Sequence, residues 1–88
     1  MNTLQILHDN PQAGIKEVYH TAYYTIANQL IEQGNSESQA REYFRLAVVF
    51  LTKQVKENDF DPDMDVTLYL STVTVSYTHL TLPTIYSV

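Results

Sequence analysis

The stretch "ENDFDPDMD" places four aspartates, Asp59, Asp61, Asp63 and Asp65, at alternating positions. Alternating carboxylates in a loop could wrap a calcium ion. An EF-hand loop also needs glycine at its sixth position for the sharp turn and glutamate at its twelfth to close the oxygen shell. Counted from Asp59 those positions hold Met64 and Leu70, and counted from Asp61 they hold Val66 and Thr72. Both registers fail, and Pro62 stiffens the loop. The expected role is a solvated loop whose last aspartate caps a helix. His8 and His20 are the next candidates, as metal ligands or a general base. They lack the i, i+4 spacing of a helical zinc pair, and no carboxylate stands near them in a recognised pattern. His20 falls at the edge of an apolar stripe and reads as an ordinary, partly exposed histidine. There is no cysteine, no G-x-S-x-G elbow and no glycine-rich phosphate loop. The expectation is a chain that is not an enzyme and takes no cofactor and no metal.

The elements that must position any functional surface come next. Eighty-eight residues make at most one small domain, in the size range where a single core is marginal. A hydrophobic fraction of 44% and a charged fraction of 17% belong to a globular chain without a membrane span. "MNTLQILHDN" has neither the basic start nor the apolar run of a secretory signal. The absence of cysteine fits an intracellular, cytoplasmic protein. A net charge of −5 argues against a strong sequence-independent grip on phosphates.

"NPQAGIKEVYHTAYYTIANQLIEQGN" is the clearest helix, capped by Asn10 with Pro11 at its first position. Ile15, Val18, Tyr19, Ala22, Tyr23, Ile26, Ala27, Leu30 and Ile31 keep three-four spacing, and Gly34 and Asn35 suit the stop. Ser36 and Gln39 form a capping-box pattern that opens a second helix. Its apolar face is Ala40, Tyr43, Phe44, Ala47, Val48, Leu51 and Val55, widened by Val49 and Phe50 towards more than one packing partner. This helix is expected to fray into "KENDF". A third should start near Asp63 or Asp65 and run through "VTLYLSTV", and "TLQILHDN" should make one or two turns. The tyrosines Tyr19, Tyr23 and Tyr24 read as core or near-core. The expected fold class is all-α, an antiparallel helical hairpin with short flanking helices.

The last residues, "TVTVSYTHLTLPTIYSV", have β propensity but no strand to pair with, and Pro83 marks a break. A local preference at odds with the rest of the chain is a warning. "VSYTHLTLPT" back-translates as GTC TCT TAT ACA CAT CTG ACG CTG CCG ACG. That string resembles, base for base, a transposase end plus read adapter from tagmentation sequencing libraries, and the codons available to Thr74 and Ile85 fit its flanks. The expectation is therefore a non-native, irregular tail over 74–88, joined to a gene cut near Val73. On that expectation, removing 74–88 leaves the helical content almost unchanged.

Read in order, "LQILHDNPQAGIKEVYHTAYY", "SESQAREYFRLAVVFL", "NDFDPDMD" and "VTLYLSTV" resemble region two of bacterial RNA polymerase sigma factors of the extracytoplasmic-function group. The likeness covers almost all of residues 4–73, making 1–73 a partial region-two helical domain. The resemblance implies a transcription initiation factor whose second long helix docks on the clamp coiled coil of the polymerase largest subunit. The matching positions are Gln39, Glu42, Arg45 and Leu46. The family usually has Asp, Gln and Glu in place of Gln39, Arg45 and Leu46, so only Glu42 keeps the acid. Promoter DNA is implied as a partner of the full-length protein, with an anti-sigma factor as a further one. Promoter recognition and melting in the family use later helices and a helix-turn-helix domain that follow these segments. The competing reading is an unrelated α-helical protein-interaction module, from a helical repeat or an adaptor, although no second copy of the unit is visible.

Overall fold

A computed structural model of the chain describes residues 3–61 and 63–87, with side chains described through residue 78. Pro62, which the sequence gives a stiffening role in the acidic loop, lies outside the described residues. Four helices follow one another: α1 (Thr3–Asp9), α2 (Pro11–Glu32), α3 (Glu37–Lys56) and α4 (Val66–Ser87). No strand occurs among the described residues, and the fold is all-α.

Each helix boundary has a local chemical cause. Asn10 is extended and its side-chain oxygen accepts the Ala13 N–H at 3.4 Å, with Pro11 in the position where a missing N–H leaves nothing unmade. α2 ends in a Schellman motif. Gly34 takes φ +102°, its N–H donates to the Ile31 carbonyl at 3.0 Å, and the Asn35 N–H reaches back to Leu30 at 3.1 Å. The Asn35 side-chain amide donates to the same Leu30 carbonyl at 2.9 Å. α3 then opens on the complete capping box. The Ser36 hydroxyl accepts the Gln39 N–H at 3.1 Å, and the Gln39 side-chain oxygen accepts the Ser36 N–H at 2.9 Å.

The far end of α3 is not frayed, as the "KENDF" composition suggested, but closed by the same device. Asn58 sits at φ +59° and donates to Val55 at 3.0 Å, and the Asp59 N–H donates to Gln54 at 2.8 Å. Asparagine tolerates the left-handed region well enough to serve where glycine usually does. Asp65 caps α4 as expected, its carboxylate accepting the Leu68 N–H at 3.1 Å.

The apolar faces of α2 and α3 meet in one core. Val18, Ala22, Ile26 and Leu30 come from α2; Ala40, Phe44, Ala47, Val48, Leu51 and Val55 come from α3; all are buried. The Phe44 ring makes edge-to-face contacts with Tyr19 and Tyr23, with centroids 4.9 and 5.1 Å away. Ile31, which the spacing placed on the α2 stripe, is instead exposed, because the stripe turns away from the core in the helix's last turn. α1 lies against α2 with Leu4 and Leu7 buried. The contact is made at Gly14: a methyl group there would stand 2.3 Å from the Leu7 α-carbon and 2.6 Å from its nitrogen. Only glycine lets the two backbones come this close.

The irregular tail expected from the sequence is corrected by α4, which crosses from Val73 to Thr74 without interruption and stays helical through Pro83 to Ser87. Two effects overcome the low helix propensity of its threonines and valines. Leu70 and Thr74 are fully buried, with Val73 and Tyr77 packed against the core beside them. The hydroxyls of Thr72, Thr74 and Thr78 donate to backbone carbonyls three or four residues back, at 3.0, 2.9 and 2.7 Å. A buried hydroxyl satisfied in this way lets threonine sit where valine would. Two hydrogen bonds tie α4 sideways: the Ser71 hydroxyl donates to Gln29 of α2 at 3.0 Å, and the Tyr69 hydroxyl donates to Gln54 of α3. The expected effect of removing 74–88 is thereby reversed. Truncation after Val73 should lower the far-ultraviolet helical signal and the melting temperature together, because it also uncovers the core at Thr74 and Tyr77. Circular dichroism on the two chain lengths measures both.

Candidate partner-docking face

The capping box sets where α3 begins, and the buried stripe from Ala40 to Val55 turns the opposite face to solvent. Gln39, Glu42, Arg45 and Leu46 all fall on or beside this outer face. Gln39 is half-buried and its side-chain oxygen is committed to the cap. Glu42 and Arg45 are exposed and paired, with the guanidinium donating to the carboxylate at 2.6 and 3.3 Å. That hydrogen bond holds the Glu42 carboxyl below its usual range and raises the Arg45 guanidinium further. Arg45 also reaches the field of Tyr19, whose phenol is pushed up by burial against the opposing pull of that positive charge. Leu46 is half-buried.

Two neighbours complete the face. Val49 is 55% exposed and Phe50 43% exposed, three and four residues beyond Leu46. The sequence signal was the unbroken apolar run "AVVFL", which is wider than one helix contact. It was read as packing against several elements of this chain. α3 does meet α1, α2 and α4, with its buried stripe running from Ala40 to Val55, while Val49 and Phe50 stay exposed.

Two of the four carboxylates that suggested calcium have structural work. Asp61 accepts the Asp63 N–H at 2.9 Å in a local turn, and Asp65 caps α4. No cluster of three or more His, Asp or Glu side chains able to hold a metal forms among the described residues. Asp63 and Asp65 do border an open cavity of about 370 Å³ with Thr3, Thr21, Met64 and Thr67. His8 lies 3.2 Å from Asp9 on the exposed side of α1, and His20 is exposed on α2. Asp9 is held below the usual carboxylate range by its hydrogen bond from Gln5 first and by His8 second.

No helix among the described residues is long and apolar enough to cross a membrane. Comparison with protein-family models, with curated proteins and with solved structures finds no match.

Proposed function

We propose that this chain carries part of region two of a sigma-type transcription initiation factor, and that the outer face of α3 docks on the clamp of the RNA polymerase largest subunit. The observation that supports this reading most is the exposed apolar pair Val49 and Phe50 beside the half-buried Leu46. It lies next to the Glu42–Arg45 pair, on the helix that the resemblance assigns to polymerase binding. A helix that buries one face in its own core and leaves two large apolar side chains exposed on the other has the form of a helix-to-helix docking element. In this reading the antiparallel pair α2–α3 is the rigid support, and α1 braces it. Promoter DNA and an anti-sigma factor are partners of the whole protein, which works in the cytoplasm.

The test is binding to purified bacterial RNA polymerase core, measured by co-elution and by fluorescence anisotropy. The chain should bind, and Val49→Asp should weaken binding by roughly 30-fold or more, the scale of losing one buried anchor at an interface. The same substitution should move folding stability by no more than about 0.5 kcal/mol, because Val49 contributes nothing to the core. Absence of any complex with the core enzyme would remove the sigma reading and leave a helical interaction module of another kind.

A further inference from the structure

The charges of this chain are unevenly placed. Of its five Lys and Arg residues, four lie on α3: Arg41, Arg45, Lys53 and Lys56. The helix carries only two acids, Glu37 and Glu42, so it is positive within a chain of net charge −5. The two acids are not free to offset the rest. Glu42 is bound to Arg45, and Glu37 stands 3.8 Å from Arg41 one turn away. Among the described residues no acid is paired with Lys53 or Lys56. Lys53 follows Phe50 by three positions and Val49 by four, and Lys56 follows Val49 by seven, so on a helix they extend the same outer face. The α3 surface therefore has an apolar centre with an ion pair at one end and, at the other, two lysines outside any ion pair, with Glu57 and Asp59 following in the turn that ends the helix.

Resting on the docking reading above, we propose that the element accepted by this face is an amphipathic helix with acidic flanks, and that Lys53 and Lys56 select it. A last-turn lysine also suits the helix dipole, but the dipole gives no reason for an exposed valine and phenylalanine one turn before it. Nucleic acid is the poorer fit, because a phosphate backbone has nothing to place on Leu46, Val49 and Phe50 and meets a net negative protein. Charge at the rim of such a contact chiefly sets which partner is accepted, while the apolar centre holds it.

The probes are two synthetic helical peptides with the same leucine stripe, one flanked by glutamate and the other by lysine, titrated into the full chain by fluorescence anisotropy and backbone-amide NMR. The glutamate peptide should bind about tenfold tighter at low salt, the size expected when two or three modest rim pairs change sign together. The advantage should shrink in high salt, and the shifted amides should centre on residues 46–56. The double variant Lys53→Gln, Lys56→Gln should erase the preference while keeping the wild-type helical signal and melting curve. Equal or reversed peptide preference, absence of binding by either peptide, shifts centred elsewhere, or salt-sensitive capture of a single-stranded oligonucleotide instead of the acidic peptide would each overturn the proposal. Polymerase binding is scored separately. Core-enzyme binding without peptide preference removes the partner chemistry and keeps the sigma reading, and peptide preference without core-enzyme binding does the reverse.

Discussion

Replacing Gly14 with alanine should destabilise the protein by about 2 kcal/mol, although alanine is the better helix former by about 1 kcal/mol. The propensity gain is local to α2. The loss comes from the added methyl, which would overlap the Leu7 backbone at 2.3–2.8 Å. Those atoms are backbone and β-carbon, so no flexible side-chain end can swing aside, and α1 itself must lift. Lifting it returns Leu4 and Leu7 to water, at about 1.5–3 kcal/mol each. Seven helical residues are released at the same time, and their regained entropy limits the net effect. Urea unfolding followed by circular dichroism gives the magnitude. Hydrogen exchange identifies the cause, because α1 amides should lose protection while those of α2 and α3 keep most of theirs. A Gly14→Ala chain as stable as wild type, with α1 still protected, would mean that the close approach is not needed.

Phe44→Ala should have the larger effect, a loss of about 3–5 kcal/mol. A domain of this length has on the order of 4–13 kcal/mol in total, so the variant should melt far lower or be partly unfolded at room temperature. The ring is fully buried in the α2–α3 contact, and its removal empties the space beside Tyr19 and Tyr23, which meet it at near-perpendicular angles. Those two tyrosines stack on each other at 5.7 Å and are only half-buried, so they can collapse inward and recover part of the volume. Phe44→Leu keeps most of the apolar volume but loses the edge-to-face contacts, and should fall short by a smaller step of about 1–2 kcal/mol. Thermal melts of the two variants separate the volume effect from the aromatic one.

Much of the architecture was legible because the signals were local. Asn10–Pro11, Gly34–Asn35 and the Ser36–Gln39 pair each mark a helix end through atoms within a few residues of it, and all three form as read. The misreadings required tertiary information. The run "TVTVSYT" is β-rich by propensity, yet it continues α4 as helix, with Thr74 buried and Tyr77 packed against the core. Nothing adjacent in the chain announces that packing. Asn58 was missed as a helix stop because its left-handed turn is rarer than glycine's, and the lysines and acids around it suggested an open end. For the docking face, the resemblance indicated α3 and the residues Gln39, Glu42, Arg45 and Leu46. Spacing alone could not tell that Val49 and Phe50 face solvent, since an apolar residue beside a stripe can pack on a neighbouring helix as easily as be left bare.

The two left-handed residues, Gly34 and Asn58, close α2 and α3 by hydrogen bonds that span no more than six residues each. These closures do not depend on the core being assembled. If the side-chain packing around Phe44 is loosened, by mutation or by acid, the ends of both helices retain their instructions. The expanded form of this chain should therefore be a molten globule that keeps the native ends of α2 and α3 and loses its near-ultraviolet tyrosine signals, while α4, whose helix relies on burial of Leu70 and Thr74, gives up part of its far-ultraviolet signal. Such a state would preserve the secondary-structure scaffold while losing the fixed orientation of the docking face, so recognition would disappear before helicity does.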